Sequence, residues 1–243
     1  MIRRAMVLAA GRGTRLAPLT DRLPKPLMPV AGKPLLGRIL EFLHAGGIAE
    51  VVINLHHLGH LIEQEIGDGA RFGVRVRYSW EPHILDTGGG IKQAEPLLEG
   101  EPFVVANGDS LLELSLRDVV EFHRARGGIA TIVLRPAPDA ANWGLIELDP
   151  DDRVRRVVGL PPGPVDVPLR GFMFPGLHVF EPEVFRFMDV GASFGVIRET
   201  YPRLLGAGER VNGFVTDARW ITIDTPESLA AAGETISRAP FRF

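Results

Sequence analysis

Arg12, Arg15 and Lys25 stand within 14 residues of one another, among Gly11, Gly13, Thr14 and Thr20, directly behind the apolar run 5–10. Cations, hydroxyls and glycines at that density are the materials of a phosphate site. The cations and hydroxyls meet anionic oxygens, and glycine lets the backbone approach a ligand because it has no Cβ. Lys25 lies between Pro24 and Pro26, which restrict the backbone around it. A lysine held so stiffly reads as a placed charge rather than a solvated one. The Gly-x-Gly on its own also fits a tight strand-to-helix turn. Spacing excludes two phosphate loops. A dinucleotide fingerprint needs glycine where Leu16 stands, and a P-loop cannot accommodate Arg15-Leu16-Ala17.

Further along, Asp109 follows an apolar run and Gly108. That order puts a carboxylate at the C-terminal edge of a sheet, where α/β proteins gather ligands. An Asx turn or helix cap fits the same position. Asp86-Thr87-Gly88-Gly89-Gly90 opens a helix-like run and suits either a phosphate cradle or a close packing point. His56, His57 and His60 have no acid at ligand spacing and read as helix-start and surface residues, and Met28 and Met173 as packing.

These side chains need a scaffold, and the first half of the chain supplies a β-α-β-α rhythm. Strand-like runs fall at 4–9, 51–55, 74–78, 103–106 and 129–134, and helix-like runs at 34–45, 58–66, 90–98 and 116–126. This alternation predicts an α/β three-layer Rossmann-like sandwich with a mixed, mostly parallel central sheet. The second half predicts a β-rich insertion around 136–180. It holds a hairpin from 144–148 and 154–158 across the turn 149–152, then a strand at 172–180. Two or three helices follow, with a last strand at 220–223 and a last helix at 226–237 capped by Thr225 with Pro226 at its first position. The expected organisation is one domain over 1–243, in two halves that divide at about 135.

Bulk properties narrow the function. The 243 residues suffice to bury a real core, and 45% hydrophobic with 23% charged residues is ordinary globular composition. A net charge of -3 provides no global basic field for nucleic acid. The absence of cysteine excludes disulfides, thiolate nucleophiles and Cys-based zinc sites. No apolar run reaches the roughly 18 residues of a membrane span, and the apolar run 5–10 is shorter than a signal peptide needs. The expectation is a cytoplasmic protein, a monomer or small homo-oligomer, that binds neither nucleic acid nor membrane.

The run LAAGRGTRLAPLTDRLPKPLMPVAGKPLL, with LDTGGGI, NGDS, NWGLIELD and TPESL in order behind it, resembles the sugar-1-phosphate nucleotidyltransferases, or nucleotide-sugar pyrophosphorylases. The resemblance covers nearly the whole chain and implies a nucleotide-binding half to about 135 and a sugar-binding half beyond it. INLHHLGHLI, DTGGGI and NGD are most similar to the N-acetylmuramate-1-phosphate uridylyltransferase branch. It implies Mg²⁺-dependent transfer of a nucleoside monophosphate from a nucleoside triphosphate to a sugar 1-phosphate, with release of pyrophosphate. That places the chain in nucleotide-sugar synthesis for cell wall or glycan precursors. By the same resemblance Ala10, Gly11, Gly13 and Thr14 meet the nucleotide, Arg15 neutralises its β- and γ-phosphates, and Lys25 bridges the reacting phosphates. Glu81, Gly88 and Asn107 are implied at the nucleotide, with Gly88 reading the base edge by its backbone. Asn142 and Gly144, flanking Trp143, are implied at the sugar, and Asp109 at Mg²⁺.

Two departures from the family pattern stand out. Relatives end in W-x-D-x-G-T-P, whose Asp is a second metal ligand, but here residues 220–226 read WITIDTP. Thr222 holds the metal position and Asp224 the glycine position. Asp224 is either the replacement ligand or a turn residue before the last helix. The E-K-P segment that grips sugar phosphate in thymidylyl- and guanylyl-type relatives is replaced by VVGLPPG, as in the muramate branch, and Arg170 is a candidate substitute cation. The substrates stay open between UTP with N-acetylmuramic acid 1-phosphate and a guanylyltransfer to a mannose or heptose 1-phosphate. A reading of another class, fed by the loss of the acid at 222, is a non-catalytic homologue that binds nucleotide sugar as a sensor or partner subunit.

Overall fold

The computed structural model describes residues 2–98, 100–136 and 145–243. Its first half contains β1 (Arg4–Leu8), the short β2 (Pro29–Val30) and β3 (Lys33–Pro34), and α1 (Leu35–Ala45). Next come β4 (Glu50–Leu55), α2 (Gly59–Ile66), β5 (Arg75–Trp80), α3 (Asp86–Gln93) and α4 (Glu95–Leu98). β6 (Phe103–Asn107), β7 (Ser110–Leu112), α5 (Leu116–Arg126) and β8 (Ala130–Leu134) follow. The second half adds β9 (Ile146–Leu148), β10 (Val154–Val157), β11 (Arg170–Phe172), β12 (Leu177–Phe180), α6 (Tyr201–Gly206), β13 (Val211–Val215), β14 (Trp220–Thr222) and α7 (Pro226–Arg238).

Seven strands form the central sheet in the order β13-β8-β12-β6-β1-β4-β5. All neighbours are parallel except β12, which runs antiparallel to both β6 and β8. This is the α/β sandwich with a mixed, mostly parallel sheet that the alternation predicts. Side-chain alternation along the strands feeds two cores. Ala5, Val7, Val104 and Ala106 face α1, α2 and α5. Met6, Phe103 and Val105 face the opposite core, which includes Ile91, Leu98, Tyr201 and Leu204. From β1 the chain winds outward through β4 to β5 and then returns to the other side of β1 as β6. The switch point between β1 and β6 is where such sheets leave a crevice beyond their strand ends.

Local chemistry explains the helix boundaries. Leu35, Leu36, Ile39, Leu40 and Leu43 put one apolar stripe of α1 into the core, and Gly46-Gly47 ends it. Pro34, expected as its first residue, belongs instead to β3 and flanks the helix in an extended conformation. At α7, Thr225 accepts from Ser228 N while Thr225 N donates back to Ser228 Oγ, a reciprocal cap with Pro226 at the first helical position.

Three expectations need correction. The run 172–180 is not one strand: Pro175 and Gly176 break it, so that β11 joins a separate β10-β9-β11 sheet and β12 returns to the central one. Proline has no N–H for a ladder. The helix expected at 90–98 begins at Asp86, with the glycines inside it, and divides before Pro96. The edge strand β13 lies in the stretch between 180 and 220 where the sequence predicts helices alone. It forms by parallel pairing with β8. The hairpin of β9 and β10 forms antiparallel as expected.

Candidate active site

The crevice at the switch point is a cavity of about 480 Å³, within the range of small-molecule sites. One wall comes from the end of β1 and the loop behind it: Leu8, Ala9, Ala10, Gly11, Gly13, Thr14 and Arg15, with Lys25. Asn107, Gly108 and Asp109 come from the end of β6, Glu81 from the end of β5, and Asp224 from the loop before α7. Ten of the residues singled out in the sequence therefore share one cavity: Ala10, Gly11, Gly13, Thr14, Arg15, Lys25, Glu81, Asn107, Asp109 and Asp224. Arg12 is exposed and does not line it. Asn142 and Gly144 lie outside the described residues.

The centre of the site is Lys25. Its Nζ donates to Asp109 Oδ2 at 2.7 Å and to Asp224 Oδ1 at 2.6 Å. Arg15 Nη2 donates to the same Asp224 oxygen at 2.8 Å. Lys25 and Asp224 are 12% and 14% exposed, so these pairs are shielded from water, whereas Arg15 at 68% reaches in from the surface. The lysine is placed by its loop. Pro24 and Pro26 flank it, and Gly13 packs against its Cβ in a left-handed conformation (φ 62°). Thr20, buried behind, donates from Oγ1 to Gly13 O at 3.1 Å, and His57 Nε2–H donates to Thr20 O at 2.9 Å.

Asp224 reaches the centre from a position two residues beyond the one expected to carry a metal ligand. β14 pairs antiparallel with β7, and Ile223 N donates to Asp109 O at 3.1 Å, so the two acids arrive on adjacent strand ends. Ser228 Oγ accepts from Asp224 N at 2.8 Å and fixes the backbone there. Thr222 Oγ1 lies 3.3 Å from Asp109 O and 3.4 Å from Asp224 Oδ2, between the two acids. Two carboxylates converging from separate elements are a hard-oxygen donor set. Among the described residues, no group of three or more His, Cys, Asp and Glu side chains is arranged to hold a metal. A two-carboxylate site suits Mg²⁺, which takes one or two carboxylates and completes its shell with water and phosphate oxygens.

At the opposite end, a buried chain of hydrogen bonds shapes the wall. Ala9 N donates to Asn54 Oδ1 at 2.7 Å, Asn54 Nδ2 to Glu81 Oε1 at 2.7 Å, and Leu85 N to Glu81 Oε2 at 2.9 Å. Both oxygens of Glu81 thus hold protein groups. A Cβ on Gly90 would stand 2.7 Å from Glu81 Oε1 and 2.8 Å from Asn54 Nδ2, so α3 can approach this chain only as glycine. Gly88 departs from the role its resemblance implies. Its N–H donates to Phe194 O at 2.9 Å, and the Phe194 ring occupies the space a side chain would need. It packs behind the cavity, with its donor engaged. Thr87 N goes to Asp86 Oδ1 and Gly89 N to Phe194 O. The glycines at the start of α3 are therefore a packing point, not a phosphate cradle, because the Thr87, Gly88 and Gly89 donors are taken.

Sequence reasoning missed Asn54, Ile84 and Ser193 as wall residues, and of the run 86–90 it is Asp86 and Thr87, not the glycines, that line the cavity. Asn54 had a signal: a polar side chain in an apolar strand, at the end where ligands gather. Ser193 had none, because it reaches the cavity only through packing of the loop around Phe194 on α3. Arg170 is committed elsewhere, with Nη2 2.7 Å from Asp152 Oδ1 and outside the cavity wall. Among the histidines, His56 Nδ1–H donates to Glu81 O at 2.9 Å, a scaffold role like that of His57.

The chain belongs to the nucleotidyl transferase family, whose profile matches residues 4–238. It is 38% identical over 240 residues to the N-acetylmuramate alpha-1-phosphate uridylyltransferase of Neisseria meningitidis serogroup B, covering 95% of this chain and 98% of that one. It is 33% identical to the mannose-1-phosphate guanylyltransferase of Mycobacterium tuberculosis and 32% identical to the UTP–glucose-1-phosphate uridylyltransferase of Synechocystis. These matches cover 96% and 97% of this chain, which spans 64% of the length of each of those two relatives. The crystal structure of HddC from Yersinia pseudotuberculosis is 25% identical and superposes with a TM-score of 0.80 over 97% of this chain and all of that one. Among the described residues no helix is long and apolar enough to cross a membrane.

Proposed function

We propose that the chain joins a nucleoside triphosphate to a sugar 1-phosphate, forming a nucleotide sugar and pyrophosphate. The observation that carries this reading is Lys25, shielded between Asp109 and Asp224 with Arg15 beside it, at the mouth of a loop whose backbone lines the cavity. In this reaction a sugar-phosphate oxygen forms the new bond to the α-phosphorus. The bond from the α-phosphorus to the bridging oxygen breaks, and pyrophosphate leaves with the electron pair. The attacking oxygen is already an anion, so positioning and charge neutralisation dominate over proton transfer. Lys25 is the compact charge that meets the reacting phosphates, and Arg15 meets the departing ones. Asp109 and Asp224 would hold Mg²⁺, which supplies neutralisation of phosphate charge. The base lies toward Glu81, Asp86 and Thr87, since the donors at the start of α3 are taken and offer phosphate nothing.

For substrates we favour UTP with N-acetylmuramic acid 1-phosphate, supported by the match along 98% of the Neisseria uridylyltransferase. A guanylyltransfer to a mannose or heptose 1-phosphate is the second reading, favoured by the fold likeness to HddC, which is also known complexed with GMP-PN. The test is pyrophosphate release with Mg²⁺, crossing the common triphosphates with a panel of sugar 1-phosphates that includes N-acetylmuramic acid 1-phosphate. One active pair is expected, with turnover lowered about 10²-fold or more in Lys25→Ala, the scale of removing one placed donor. A folded protein that turns over no pair yet binds nucleotide sugar tightly would establish a sensor instead.

A further inference from the structure

The two cations that the proposed reaction needs are already engaged. A single oxygen, Asp224 Oδ1, accepts from both Lys25 and Arg15, and Asp109 Oδ2 accepts a further hydrogen bond from Lys25 Nζ. The formal charges of these four side chains cancel. A polyphosphate entering without a divalent cation therefore meets a neutral centre and has to displace carboxylates that hold their cations at 2.6–2.8 Å. Asp224 is not a loose surface acid that gives way easily. Its side chain is 14% exposed, its N–H is held by Ser228 Oγ, and its second oxygen lies 3.4 Å from the Thr222 hydroxyl.

We propose that Asp224 is a built-in counter-ion that makes phosphate binding depend on a divalent cation. Its carboxylate keeps Lys25 and Arg15 paired until it is itself neutralised, and only then do both cations turn to the phosphates. This rests on reading the site as a phosphate-handling one. By linkage the coupling is reciprocal: phosphate that takes Lys25 and Arg15 frees both carboxylates, and so tightens the cation by the same factor. The device depends on the acid standing at 224, where one oxygen can reach both cations.

The test uses inorganic pyrophosphate as probe and calorimetry on the whole chain, in excess EDTA and again with Mg²⁺. Wild type is expected to bind weakly in EDTA and much more tightly with Mg²⁺. Asp224→Asn keeps the shape and removes the charge. It is expected to bind metal-free pyrophosphate about tenfold or more tighter than wild type, the scale of releasing a shielded charge pair, and to gain less from Mg²⁺. Asp224→Ser should behave alike, which guards against a fold defect special to one variant. Adding Arg15→Gln to Asp224→Asn should erase much of the gain, since the freed cation is then missing. Metal-free affinity that is unchanged or weaker in both folded 224 variants would overturn the proposal. The assay involves no turnover, so it separates the two readings. A gain in affinity from a chain inactive on every substrate pair would keep the counter-ion and sink the transferase, and turnover without the gain would do the reverse.

Discussion

Replacing Gly13 by alanine adds one methyl group at the tightest point of the loop. Gly13 has φ 62°, a left-handed conformation that costs an L-residue about 1–2 kcal/mol. The added Cβ would stand 2.9 Å from Thr20 Cγ2 and 3.0 Å from Lys25 Cβ. Neither neighbour can yield freely. Thr20 is 2% exposed and tied to Gly13 O and to His57, while Lys25 is fixed by two prolines and two carboxylates. Overpacking of this kind adds about 1–3 kcal/mol, so Gly13→Ala should lose about 2–5 kcal/mol in urea unfolding. The relief available is a shift of the Lys25 backbone, and a misplacement of about 1 Å costs up to about 10²-fold in rate. Pyrophosphate release should fall on that scale. Gly11→Ala is the matched comparison, because Gly11 has no positive φ and, among the described residues, nothing lies within 4 Å of an added Cβ. Its stability should stay within about 0.5 kcal/mol of wild type. If the two variants unfolded at the same urea concentration, the link from left-handed glycine to lysine placement would be wrong.

Asn54→Leu removes the link between Ala9 N and Glu81 Oε1. A buried N–H and a carboxylate oxygen lose their partners, so urea unfolding should show a loss of about 3 kcal/mol, and nucleotide binding should weaken as Ala9 loosens. His178 is fully buried, with Nδ1 2.6 Å from the Tyr201 hydroxyl and Nε2 unpartnered among the described residues, and burial lowers its pKa from 6.5 to about 3. Within that window the unfolded chain binds a proton that the folded chain refuses, so stability falls as pH drops below 6.5. At 1.36 kcal/mol per unit the loss is about 2 kcal/mol by about pH 5. His178→Phe, which suits the neighbouring Phe174, Phe180 and Tyr201 rings, should flatten the dependence by that amount. Parallel stability–pH curves for the two proteins would contradict the assignment.

The sequence by itself determined much of this protein, because local rules decide those parts. Alternating apolar runs specified the layered sheet, and the pattern from Gly11 to Pro26 specified an anion-handling loop with one placed lysine. The cap at Thr225 was legible because its two partners are three residues apart. Only the tertiary structure decided the rest. It broke 172–180 between two sheets, and it recruited Val211–Val215 as an edge strand where the sequence predicts helices. It turned the glycines of α3 from a possible ligand cradle into packing surface, because Phe194 arrives from about a hundred residues away to take their donors. Above all it settled where Asp224 sits. A two-residue offset on a strand leaves a side chain on the same face, but whether it reaches the centre depends on the register of β14 with β7 and on the α7 cap. That register pairs Thr222 with Ser110 and brings Asp224 to Lys25 and Arg15 across 199 and 209 residues of chain, contacts that spacing along the sequence cannot encode.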